Sequence, residues 1–229
     1  MQIRLVLKSI LLAVGAMVIV TLGQGVVKAD EVTFSGFTNG CFGAACVPPT
    51  TVAQAPITLL GLTYTNSTFA GSTAGGFLAI GNTSGTPNVN NLGSFALNAT
   101  PATYDGQAFV LRVTFLAPPG IAGGNSTTFS ADLTGTVSSM AGGGVFVHFN
   151  SEPVLFTFSF VNNLGQTVNG SFRFNVNDVS VIAGGTIALS GNITSAQQSA
   201  IPEPASMFLL GTGLLGVGAV VRKRFRAIK

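Results

Sequence analysis

Apolar and polar residues alternate through the middle of this chain. Phe109, Leu111, Val113 and Phe115 alternate with Val110, Arg112 and Thr114. Phe129, Ala131, Leu133 and Val137 alternate with Ser130, Asp132, Thr134 and Thr136. Phe156, Phe158 and Phe160 interleave with Thr157 and Ser159, and Phe172, Phe174 and Val176 with Ser171, Arg173, Asn175 and Asn177. A period of two places one face of a strand in a core and the other in water. Further runs lie near 31–37, 57–65, 77–81, 92–98, 144–149 and 186–194. Gly, Pro and Asn clusters separate them, as in TSGTPN, APPGIAGGN and NNLGQ, and these are turn chemistry. No long stretch of the body has helical periodicity. About ten short strands, each with one wet face, predict an all-β fold, an antiparallel two-sheet sandwich or jelly roll. Most of the 18 Phe residues would fill the space between the sheets.

Only the two ends break the alternation. Arg4 and Lys8 precede an apolar run from Ile10 to Leu22, and Val27-Lys28-Ala29 fits the small-residue pattern before a leader cut. Residues 1–29 therefore read as a signal peptide, cut between Ala29 and Asp30. At the other end, residues 205–221 form an apolar stretch at the lower limit for a spanning helix. A basic tail, 222–229, follows, with Arg222, Lys223, Arg224 and Arg226. Basic residues stay cytoplasmic, so this helix runs from outside to inside and the body before it lies outside. Residues 30–195 make the β domain. The polar run Thr194 to Ala200 reads as flexible, and the linker is placed at 196–201.

The last 28 residues, 202–229, combine Pro202-Glu203-Pro204, a Gly-rich apolar segment and an Arg-rich end. In kind, order and position these parts resemble the PEP-CTERM sorting signal of Gram-negative bacteria. The resemblance is confined to the tail. It implies that an exosortase, a membrane protease, recognises Pro202, Glu203 and Pro204 and removes the tail at the inner membrane. It also implies release or attachment at the cell surface, in association with extracellular polysaccharide and biofilm. The two prolines hold the segment extended and stop the helix from starting early, as protease access requires.

Charge changes the picture by its scarcity. Charged residues are 7% of the chain, against roughly 25% in soluble proteins. The net charge of +3 misleads, because Arg4, Lys8, Lys28, Arg222, Lys223, Arg224, Arg226 and Lys229 lie in the end segments. The body keeps Arg112 and Arg173 against Asp30, Glu31, Asp105, Asp132, Glu152 and Asp178, so no basic footprint for nucleic acid exists.

Candidate chemistry is sparse. Cys41 and Cys46 are the two cysteines, and export makes a small disulfide loop their expected state. The G-x-S-x-G, HExxH, P-loop and EF-hand patterns are absent. Gly211, Gly213 and Gly216 match GxGxxG but lack the strand and the acidic residue of a dinucleotide site; small residues in a membrane helix explain them. His148, the single His, reads as a solvent-facing strand residue with Glu152 as a nearby partner. Asp105, Asp132, Glu152 and Asp178 are the candidates for calcium, with bland solvated carboxylates as the alternative. Sequons at Asn66, Asn82, Asn98, Asn125, Asn169 and Asn192 are what a Thr- and Asn-rich chain produces by chance. The expectation is a non-enzymatic exported surface protein without a cofactor. The alternative is a carbohydrate-binding module using Tyr64 or Tyr104.

Overall fold

The computed structural model describes residues 28–29, 31–52, 54–81, 90–138, 142–150, 152–199, 211, 213 and 214. One compact unit spans Lys28–Ser199. Its strands, in chain order, are β1 Lys28–Ala29, β2 Thr33–Phe42, β3 Ile57–Leu59, β4 Leu62–Thr65, β5 Thr68–Ser72 and β6 Leu78–Ile80. Then come β7 Ser94–Leu97, β8 Ala102–Thr103, β9 Gln107–Ala117, β10 Ser126–Thr134, β11 Thr136–Val137 and β12 Gly144–Phe149. The series ends with β13 Val154–Val161, β14 Thr167–Val176, β15 Val179–Ile182, β16 Thr186–Ala188 and β17 Gly191–Ser199. The body is all-β, and its paired strands are antiparallel.

The strands divide into four hydrogen-bonded sheets. A six-stranded sheet runs β15-β12-β10-β9-β2-β5, and a five-stranded sheet runs β1-β17-β14-β13 with β6 also on β17. A four-stranded sheet runs β16-β7-β4-β3, and β11 pairs with β8. Strand β9 shows how the core is built. Its alternating residues Phe109, Leu111, Val113 and Phe115 are all buried. At one end Phe115 meets Phe156, Phe172 and Phe174 of the five-stranded sheet, with ring centroids 5.1 to 5.4 Å apart. At the other end Phe109 meets Tyr64 and Phe95 of the four-stranded sheet at 4.9 and 5.0 Å. The six-stranded sheet thus shares its apolar face between two smaller sheets. Offset and edge-to-face rings satisfy the aromatic quadrupoles, and burial of each ring contributes on the order of 2–3 kcal/mol.

The segment after β2 is tied back onto it. The Gln54 side-chain amide accepts from Gly40 N at 2.9 Å and donates to Gly40 O at 2.6 Å. It stands in for the backbone of a neighbouring strand where β5 no longer reaches. Asn39, fully buried, donates to the carbonyls of Pro49 and Thr51 at 2.9 and 2.7 Å. The Cys41–Cys46 disulfide closes the loop between these ties.

The C-terminal boundary differs from the sequence expectation. Residues 196–199, expected to open a flexible linker, belong to β17. Gly170 faces Gln198 and Ser171 faces Gln197, so the polar run is held in the sheet by its backbone. A strand needs only one apolar face, and Ile193 and Ala196 supply it, both buried and brought to the same face by the bulge at Ser195.

Candidate functional site

Two places in the described residues carry chemistry beyond packing. The first is the junction where the body meets the tail. β17 ends at Ser199, three residues before Pro202. At this end β17 lies between β14 and the two-residue β1. Lys28 pairs with Ser199, and Ala29 with Gln198. The Gln198 side chain also donates to Glu31 O at 2.9 Å, and the Ser199 hydroxyl oxygen accepts from Asn169 N at 3.1 Å. Gly170, opposite Gln198, is obligatory at this spot. A Cβ there would lie 2.1 Å from the Phe158 ring and 2.5 Å from Gln197 O. The expected leader-cut bond, Ala29–Asp30, therefore directly follows the strand that covers the end of β17. Of the expected sorting residues, Pro202, Glu203, Pro204, Arg222, Lys223, Arg224 and Arg226 lie outside the described residues, and so does Asp30. The segment 205–221 also lies outside them except for 211, 213 and 214. Among the described residues no helix is long and apolar enough to cross a membrane.

The second place is a polar row on the outer face of the six-stranded sheet. Antiparallel pairing sets Asp132 of β10 opposite His148 of β12. Val147 pairs with Val179, so the next step of the same ladder brings Asp178 to the other side of His148. His148 Nδ1 donates to Asp178 Oδ2 at 2.6 Å, and Phe149 N donates to Asp178 Oδ1 at 2.8 Å. Asn150 Nδ2 donates to Asp132 Oδ2 at 2.6 Å. The Phe146 ring stacks beside the imidazole, with centroids 5.9 Å apart and planes within 15°. The side chains of His148 and Asp178 are 51% and 36% exposed, so their attraction is screened by water.

This row corrects one pairing and sorts the acidic residues. The partner of His148 is Asp178, 30 residues on in sequence, and not Glu152. Glu152 stands exposed beyond the end of β12. Asp105 accepts from Gly135 N at 2.9 Å and fastens a turn. Of the four calcium candidates, Asp132 and Asp178 lie on either side of His148. Among the described residues no group of three or more His, Cys, Asp or Glu is placed to hold a metal ion.

The two tyrosines are core residues. Tyr64 is 1% and Tyr104 0% exposed. The Tyr64 hydroxyl donates to Leu92 O at 2.8 Å and lies 2.9 Å from Thr38 Oγ1. Burial pushes both phenols above their usual range, and the Thr38 contact offsets only part of the rise at Tyr64. Neither ring can serve as a sugar-stacking surface, because strand alternation on β4 and the turn bond from Tyr104 to Leu60 O turn both inward. Phe146, next to His148 on β12, is an aromatic that stands exposed beside polar groups, at 42% exposure.

Comparison with known proteins gives one match. Residues 200–224 match the PEP-CTERM protein-sorting motif. The matched segment begins at the residue after β17 ends. No curated protein and no solved structure matches the chain.

Proposed function

We propose that this chain is a non-enzymatic structural protein of the bacterial surface, delivered by its tail and contributing its β body to an extracellular polymer layer. The sorting motif carries the reading, since it implies an extracellular protein processed by an exosortase. Several features support the role assigned to the body. Its scaffold reads as a sandwich with a divided second layer. The Cys41–Cys46 bond suits an oxidising compartment. The side chains of Asp105 and Asp178 fasten a turn and the end of β12.

The test is genetic and biochemical. In a host strain lacking its exosortase, the full-length chain should accumulate in the membrane fraction, and extracellular polymer should be held less firmly by the cells. His148→Ala should leave polymer retention unchanged. Normal release of the protein without the exosortase would refute the delivery route. Normal polymer retention in a strain lacking this protein would refute the role of the body.

A second reading, a carbohydrate-binding module, is favoured by one observation. His148 lies between Asp132 and Asp178, and the Phe146 ring stacks beside it on the same outer face. Retarded migration through polysaccharide gels that is lost in Phe146→Ala would support it over the purely structural role.

A further inference from the structure

The end of β17 is a strand edge covered by a segment that export is expected to cut away. Between Gly191 and Ile193 its outer edge pairs with β6. Ala196 N then donates to Gly76 O at 3.0 Å. At Gln198 and Ser199 the partner is β1, two residues long. A leader cut between Ala29 and Asp30 severs β1 from the chain, and two residues alone cannot stay paired.

The stretch thus uncovered carries none of the usual guards. β17 reads Gly-Asn-Ile-Thr-Ser-Ala-Gln-Gln-Ser, without a charge or a proline to deter a new strand. It remains anchored on its other edge, with Gly170 facing Gln198 and Asn169 bonded to Ser199. It also leads without a gap into the matched motif at residue 200.

We propose that the backbone edge of Gln198–Ser199 is a docking site for the tail-processing protease, and that β1 masks it until the leader is removed. The protease would add a strand to this edge and continue toward Pro202, as strand-addition recognition does elsewhere. Main-chain bonds supply affinity in this mode, so a fixed body sequence is not required beside the Pro-Glu-Pro motif. Leader removal then precedes tail removal. The order guards against cutting the anchor from a chain whose other end is still in the membrane. The proposal rests on the exosortase reading.

The experiment follows the full-length chain in its host by pulse labelling, with mass analysis of both termini. Ala29→Leu places a bulky residue at the cut and leaves β1 attached. Lys28→Gly/Ala29→Pro also keeps the leader but removes the strand donor that faces Gln198. Tail removal should slow about tenfold or more in Ala29→Leu, the effect of losing one or two net backbone hydrogen bonds. It should recover in the double variant although the leader remains. Protease resistance and disulfide content of the body, equal in both variants, show that folding is intact. Tail removal at the wild-type rate in Ala29→Leu overturns the proposal, as does an equally slow double variant. A wild-type chain that retains Lys28 and Ala29 while losing its tail overturns the masking alone. A wild-type chain that loses its leader and keeps its tail overturns the sorting reading itself.

Discussion

Ala29 faces Gln198 across an antiparallel pair, although 169 positions separate them in sequence. The strand that ends the expected leader and the last strand of the body are therefore neighbours in one sheet. The pairing sets the expected leader cut beside the last residues before the sorting motif. A body closed in this way holds its C-terminal strand by long-range contacts rather than by local turns. Stability of that sheet and presentation of the tail are linked through β14, which pairs with β17 on the inner side.

Phe172 is the test of the core. It touches Phe34, Phe115, Phe156 and Phe158 from a fully buried position. Phe172→Ala should lower the unfolding free energy of the body by about 3–5 kcal/mol. Phe146→Ala, on the exposed face, should change it by less than about 1 kcal/mol. Urea titration of the body, followed by far-ultraviolet circular dichroism, compares the two.

Gln54 gives a prediction with a sign in pH. Its amide both donates to and accepts from the backbone of Gly40. In Gln54→Glu the ionised carboxylate can accept from Gly40 N but meets Gly40 O as a second acceptor. The folded state therefore favours the protonated acid and raises its pKa above the unfolded value near 4.3. Stability relative to wild type should be nearly intact below about pH 4 and fall as pH rises through that value, because the folded state binds more protons. Thermal midpoints of both proteins between pH 3 and 7 would show the divergence. Parallel curves would contradict the double bond to Gly40.

Asp178 and His148 should separate, although they are bonded to each other. Asp178→Ala removes the acceptor of Phe149 N as well as the imidazole partner, and should cost about 1–2 kcal/mol. His148→Ala removes only a screened, half-exposed contact and should cost less than about 1 kcal/mol. Equal losses in the two variants would mean that the ion pair, not the backbone clamp, holds the end of β12.

The disulfide closes a loop of five positions, so its removal frees little chain entropy. Cys41→Ser/Cys46→Ser should lose about 2 kcal/mol and remain folded. Calorimetry of the mature body would show a lower midpoint with a single transition.

Much of this fold could be read from the order of residues. Alternation at Phe172–Val176 marks a strand with one buried face, and it packs as that pattern requires; at Phe109–Phe115 the apolar face packs as expected, but Val110 and Thr114, expected in water, are buried as well. The disulfide followed from two close cysteines and the expectation of export. Partners distant in sequence were not legible. Nothing local in Lys28-Ala29 announces a strand, and nothing in Thr194–Ser199 distinguishes a polar strand from a polar linker. Both are fixed by pairing in the sheet. The same limit hid the link between His148 and Asp178, which depends on the register of β12 against β15. It also hid the inward turn of Tyr64 and Tyr104, since a tyrosine suits a core or a surface equally well until its hydroxyl finds a partner. The sorting tail was legible because its three parts act through composition and order rather than through folded geometry.

The most direct test of the account is the intact mass of the protein isolated from its native host, with peptide mapping of both termini. The expected chain begins at Asp30, ends close to Pro202–Pro204 and lacks Arg222 to Lys229. A chain that still ends in the basic tail would contradict it, and the tail would then be a simple anchor.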